Sequence, residues 1–194
     1  MEITSTQVKA LRDRTGISVM QCKKALEEAG GDEEKAFIIL KKRRQEAAEK
    51  KSDRELGAGI IGVYVHNTNE VAAMVRLSCE TDFVAKNKEF ADMARDIAMH
   101  VTALSPSYIS REDVSPEVIE KAKSVFEAEI ADKPEDMREK IMKGKIDSYF
   151  AEQILLEQSF IKNPEMKISD MIQGAVQKFG ENVAITDISR LSVK

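Results

Sequence analysis

The chain has 194 residues, 30 basic and 34 acidic side chains and a net charge of −4. That length can bury a real core in one or two domains, and the near balance of charge excludes a general attraction to nucleic acid, which needs clustered Lys and Arg. Cys22 and Cys79 are far apart, and neither they nor His66 and His100 fall at zinc-ligand spacing, so a reduced, cytoplasmic protein without cofactor or protein-ligated metal is expected.

The start, Met1-Glu2-Ile3-Thr4-Ser5-Thr6, lacks a basic region followed by an apolar core, and no apolar run approaches membrane-spanning length. A soluble, unexported chain is expected. Residues 4 to 50 read as three helices. Thr4-Ser5-Thr6-Gln7 has the capping-box pattern, Val8 and Leu11 share a face, and the helix should stop near Thr15-Gly16. Ser18 to Gln21 repeats the signal for a second helix that ends at Gly30-Gly31. Asp32 caps a third, with Ala36, Ile39 and Leu40 at helical spacing. Val19 and Met20 open the second helix; packing in the small core and partial exposure both fit them.

Lys41 to Glu55 is mostly charged, and 41–56 reads as a linker or a solvated helical extension. A scaffold or RNA-binding role through the basic residues of 41–54 is the alternative, opposed by interleaved Glu and the lack of stacking aromatics. Domain boundaries of 1–40, 41–56 and 57–194 follow.

Gly57 to His66 is rich in Ile and Val, and Asn67-Thr68-Asn69 offers turn chemistry. Val71, Ala73, Val75, Leu77 and Cys79 then alternate with a more polar set, giving a second strand of an antiparallel hairpin. Cys79 falls on its apolar face, where packing is the default and activation would need a neighbouring cation. In the junction that follows, Thr81 or Asp82 is placed to cap the next helix. Phe83 belongs to neither core pattern, so it is either folded back or offered to a partner.

Phe90, Met93, Ala94, Ile97, Ala98, Val101 and Leu104 trace one face of a long helix ending before Ser105-Pro106. His100, beside that stripe, reads first as a satisfied structural histidine. Pro116 starts a helix that Asp132-Lys133-Pro134 breaks before another begins, an antiparallel helical hairpin inserted at about 116–150. Phe160 to Pro164 reads as a loop, Ser169 as the cap of a helix stopped by Gly180, and 182–193 as a final strand pairing with the hairpin. The whole is α+β: a three-helix N-terminal domain, then an antiparallel sheet with covering helices.

The run Thr81-Asp82-Phe83-Val84-Ala85-Lys86, between a strand and a helix, resembles the signature of the elongation factor Ts family. So do Leu11 to Gly16 with Cys22 to Leu26, Ile97 to Val101, Glu112 to Ser115, Leu156 to Ile161 and Phe179 to Asn182, in the family's order. The resemblance implies a ubiquitin-associated-like N-terminal domain and guanine nucleotide exchange on elongation factor Tu, with the factor itself binding no nucleotide. It implies that Phe83 wedges into the GTPase domain with Asp82 assisting, Thr81 and Val84 completing the motif. It also implies that Arg12, Val19 and Met20 grip the GTPase from another side; the family often has Met at position 19, and Val keeps the contact apolar. His100, Phe179 and Gly180 match further contact positions. Longer members carry two related core halves where this chain shows one, so a homodimer with two GTPase partners is implied.

Independently, no phosphate-binding glycine loop and no nucleophile–base set is visible, so a non-enzymatic role is expected. The rival of that reading is a thiol enzyme using Cys79 with a histidine.

Overall fold

The structure, a computed structural model, describes residues 3–131 and 134–193. Met1, Glu2 and the expected helix break at Asp132-Lys133 lie outside the described residues. The helices are α1 (Ser5–Thr15), α2 (Val19–Glu28), α3 (Glu33–Glu49), α4 (Asp82–Ala85), α5 (Lys88–Leu104), α6 (Pro116–Ile130), α7 (Glu135–Ala151) and α8 (Ile168–Phe179). The strands are β1 (Ala58–Val65), β2 (Val71–Cys79), β3 (Ser159–Phe160), β4 (Asn163–Lys167) and β5 (Val183–Ser192), in one sheet of order β1-β2-β5 and an antiparallel β3-β4 pair. The class is α+β. Two compact units divide the chain: Met1–Gly59, Ser78–Phe90 and Asp170–Ala184 make the first, and Ile60–Leu77, Ala91–Ser169 and Ile185–Lys194 the second.

In the first unit, local chemistry sets the helix ends. Thr4 and Gln7 form a reciprocal capping box, and Gly16 ends α1 at φ 68, where a side chain would be strained. Ser18 accepts from Gln21 N, and Asp32 from Lys35 N. Val8, Leu11, Ile17, Cys22, Leu26 and Leu40 are among the residues that close the core of these helices. α3 runs on through the charged stretch to Glu49. That stretch is more engaged than its composition indicates: Lys41 pairs with Asp170 at 3.2 Å, Arg43 with Glu28, and Arg44 donates to Thr15 O and to Gln177. Burial is the largest influence on Arg44, and it pulls the guanidinium below its ordinary pKa.

In the second unit, the β1–β2 turn is closed by His66 N donating to Val71 O at 2.9 Å, with Asn69 at φ 58. Gly62 of β1 lies directly against the backbone of Ala94 in α5. α6 and α7 pack on each other, with Phe126 edge-on to Tyr149 at 5.7 Å and Lys145 on Glu129 at 2.6 Å. Val114, Ala122, Ile146, Phe150 and Ile154 form the core beneath them. Arg111 forks onto the Glu157 carboxylate at 2.8 Å and reaches Asp147.

Four expectations are corrected. Residues 160–164 do not form a plain loop, because Phe160 pairs with Asn163 in the short β3-β4 ribbon. Ser169 does not cap α8; the helix already starts at Ile168, which is fully buried and donates to Gln158 O at 3.1 Å. Leu104, at the end of its helix, is exposed. Along β5, Val183 and Ile185 are buried while Leu191 and the following Val193 stand in solvent, so the apolar alternation does not mark burial to the end.

Candidate functional site

β2 buries Ala73, Val75, Leu77 and Cys79 and then ends, with Thr81 extended at φ −124 and ψ 154. Thr81 accepts from Val84 N at 3.5 Å and so caps α4, a helix of one turn. The long amphipathic helix expected directly after this cap is separate. α5 begins at Lys88, where Asn87 Oδ1 accepts from Glu89 N at 2.9 Å.

One helical turn rotates successive side chains by about 100°, and the residues of α4 divide accordingly. Val84 is buried at 4% exposure, whereas Phe83 is 82% exposed. Asp82 also faces solvent and takes a hydrogen bond from Lys86 Nζ at 2.5 Å. That bond, and then the Lys86 charge, hold the Asp82 carboxyl below its ordinary pKa, so it is presented as an anion. Full burial of a Phe side chain is worth roughly 1.5–3 kcal/mol; Phe83 forgoes it in the isolated chain.

The backbone around this turn is tied to residues about a hundred positions later. Glu181 accepts from Glu80 N at 3.1 Å, Thr81 N at 3.0 Å and Thr81 Oγ1 at 2.6 Å. In return the Glu80 carboxylate accepts from Asn182 N at 2.5 Å and pairs with Arg54 at 3.3 Å. The bond from Asn182 N, the largest cause, holds Glu80 below its ordinary pKa. Asn182 is buried, and its amide donates to Ser52 O and Arg54 O. The run Phe179-Gly180-Glu181-Asn182 is visible in the sequence, but nothing there connects Glu181 or Asn182 to residues 80 and 81.

Phe179 ends α8 with its ring edge-on to Phe90 at 5.7 Å, and Gly180 follows at φ 75 with open space around it. Val19 and Met20 are exposed at the start of α2, 54% and 68%, which settles the choice between packing and exposure. Val19 and Arg12 line an open groove of about 380 Å³ together with Ile3, Val8, Lys9 and Lys23. The structure thus brings Arg12, Val19, Met20, Thr81 to Val84, Phe179 and Gly180 into the first unit.

His100 lies in the second unit and is fully buried. Ile161 N donates to its Nδ1 at 3.3 Å, which leaves Nε2–H to donate to Gln158 Oε1 at 2.9 Å. Burial, the first cause, holds its pKa below the ordinary value.

Cys79 is fully buried with its thiol on Thr81 O at 3.2 Å, and burial followed by the Glu181 charge pushes its pKa up. A nucleophile needs the thiolate, and these surroundings disfavour it. Among the described residues, no three His, Cys, Asp or Glu side chains cluster as metal ligands, and no helix is long and apolar enough to cross a membrane.

Comparison with known proteins gives a consistent picture. A family model described as Elongation factor TS matches residues 40–194. Over 194 residues the chain is 48% identical to Elongation factor Ts of Thermodesulfovibrio yellowstonii, covering 100% of this chain and 97% of that protein. It is 48% identical to Elongation factor Ts of Thermosipho melanesiensis, with 98% of each chain covered. With Elongation factor Ts of Herpetosiphon aurantiacus the identity is 44%, over 100% of this chain and 98% of the relative.

Proposed function

The chain belongs to the elongation factor Ts family of translation elongation factors, and from that premise we propose that it is a guanine nucleotide exchange factor promoting GDP release from elongation factor Tu. The exposure of Phe83, on a turn fixed by the cap before it and the buried Val84 after it, carries this reading. Phe83 enters the GTPase domain as a wedge and disturbs its magnesium and phosphate site. A large apolar side chain held this way gains burial in the partner while losing little conformational freedom. Asp82 arrives beside it as a carboxylate. Because nucleotide and factor weaken each other's binding by the same factor, a wedge that fits only the nucleotide-free GTPase speeds release.

Arg12, Val19 and Met20 form the second grip, with Val19 and Met20 offering exposed apolar surface and Val19 and Arg12 lining the groove. Gly180 presents the open turn after Phe179, and His100 enters only as support for the segment at Ile161. Helices α1 to α3 are read as a ubiquitin-associated-like domain over 1–40, joined by 41–56 to a core over 57–194, with α6 and α7 as an inserted antiparallel helical hairpin. The protein acts in the cytoplasm without chemistry or direct nucleic-acid contact of its own; the pairing of Lys41, Arg43, Arg44 and Arg54 inside the chain supports this over an RNA-binding stripe. It works as a homodimer, supported by the apolar face that Ile61, Val63, Val65 and Met74 leave exposed.

Stopped-flow release of fluorescent GDP from elongation factor Tu tests the wedge. Phe83→Ala is expected to lower the maximal release rate about tenfold or more, the equivalent of losing roughly 1.5–3 kcal/mol of burial. Affinity for the nucleotide-free GTPase changes less. An unaltered maximal rate removes the wedge role.

A further inference from the structure

The wedge reading leaves open what aims Phe83. α4 is a single turn, and an exposed single turn does not hold its own direction. The backbone N–H groups of Glu80 and Thr81 fall between the end of β2 at Cys79 and the start of α4 at Asp82. Unpaired, they would leave the junction free to turn.

We propose that Glu181 is the positioning residue of the exchange motif, its carboxylate fixing the backbone at Glu80 and Thr81 and thereby the direction of Phe83. The proposal rests on the wedge reading of Phe83. One oxygen, Oε2, receives both successive backbone N–H groups, at 3.1 and 3.0 Å, and the other receives the Thr81 hydroxyl at 2.6 Å. With its proton given to Glu181, the Thr81 oxygen turns a lone pair toward Val84 N. One carboxylate therefore pins the two peptide groups before the turn and orients the cap of the turn itself.

The contact is reciprocal. Glu80 accepts from Asn182 N while Glu181 accepts from Glu80 N, so each segment's carboxylate holds the other segment's backbone. Asn182 adds two bonds to the carbonyls of Ser52 and Arg54. The Glu181 side chain is thus itself carried on a fixed backbone, as a group that aims another must be. Charge-assisted bonds of this kind are stronger than neutral ones.

Two variants separate positioning from general damage. Glu181→Ala removes all three acceptors. In Glu181→Gln the amide oxygen still accepts the two N–H groups, and the amide nitrogen donates to the Thr81 oxygen, reversing that bond while keeping the geometry.

In the free protein, amide hydrogen exchange at Glu80 and Thr81 is expected to speed up about tenfold or more in Glu181→Ala. It should stay near wild type in Glu181→Gln, with the amides of α1 to α3 unchanged in both. In stopped-flow GDP release, Glu181→Ala lowers the maximal rate and leaves the half-saturating factor concentration nearly unchanged, and Glu181→Gln restores the rate. Adding Glu181→Ala to Phe83→Ala lowers the rate no further, because there is no wedge left to aim. Unchanged exchange at Glu80 and Thr81, or a full additive loss in the double variant, overturns the proposal. If the wild-type factor accelerates no release, the exchange reading fails, and the amide data still decide whether Glu181 holds the motif.

Discussion

Gly62→Ala tests the packing of the second unit, where β1 meets α5. A Cβ built on Gly62 lies 2.3 Å from both the carbonyl carbon and oxygen of Ala94 and 2.9 Å from its Cβ. Ordinary contact begins at 3.4 Å, so about 1.1 Å of separation must open between a strand and a helix. The obstacle is backbone, which cannot rotate away as a side-chain tip can. Overpacking of this sort costs about 1–3 kcal/mol, and the upper end applies. The loss of unfolded-state freedom on replacing glycine returns about 0.4–1 kcal/mol. A net loss of roughly 2 kcal/mol corresponds to a melting point lower by about 4–8 °C for a chain of this size. Gly144, inside α7 with nothing within 4 Å, is the control. Gly144→Ala should melt higher, by roughly 0.5–1 kcal/mol of helix propensity. Calorimetry on both variants at matched concentration decides. If Gly62→Ala melts at or above wild type, the close approach of β1 to α5 is wrong.

His100 gives a pH dependence with a definite sign. Its folded-state pKa is depressed below 6.5, first by burial, so the unfolded chain takes up the proton more readily. The stabilisation is complete above pH 6.5 and is lost as pH falls from there toward the folded-state pKa. Urea unfolding at pH 7.5 and pH 5 should show a larger acid loss for wild type than for His100→Gln; an equal loss in both excludes His100 as the titrating group. For the dimer, sedimentation of wild type and Val63→Lys at one concentration is the check. Wild type should run as a dimer and the variant, with a charge on the exposed face of β1, as a monomer; monomeric wild type refutes the reading.

What could be read in the sequence was what depends on neighbours. The caps at Thr4, Ser18 and Asp32 and the glycine stop at Gly16 are contacts between residues a few positions apart, and all are present. β2 was legible to the residue because Ala73, Val75, Leu77 and Cys79 on one face are buried while Met74 and Arg76 on the other are exposed. Phe83 stood out because it fitted neither adjoining pattern, and its exposure follows from a turn too short to share the core face of α5. What escaped depends on pairing over distance. Arg44 looked like one more solvated charge, since Thr15 and Gln177 are remote from it in sequence. The β3-β4 ribbon has too few residues for alternation to show. Glu181 looked like a polar residue in a turn, and its three donors belong to another segment.

The bonds that tie the motif span 100 to 102 positions, and the first unit is completed only by Asp170–Ala184. A chain growing from its N-terminus therefore makes the Thr81 turn long before it makes the residues that fasten it. The helices α1 to α3 can form as they emerge, from local contacts, whereas the motif acquires its final bonds only after residues 181 and 182 have been made. A nascent or truncated chain that ends before residue 181 carries Phe83 without its fastening. Competence of the motif thus waits on residues made about a hundred positions after it.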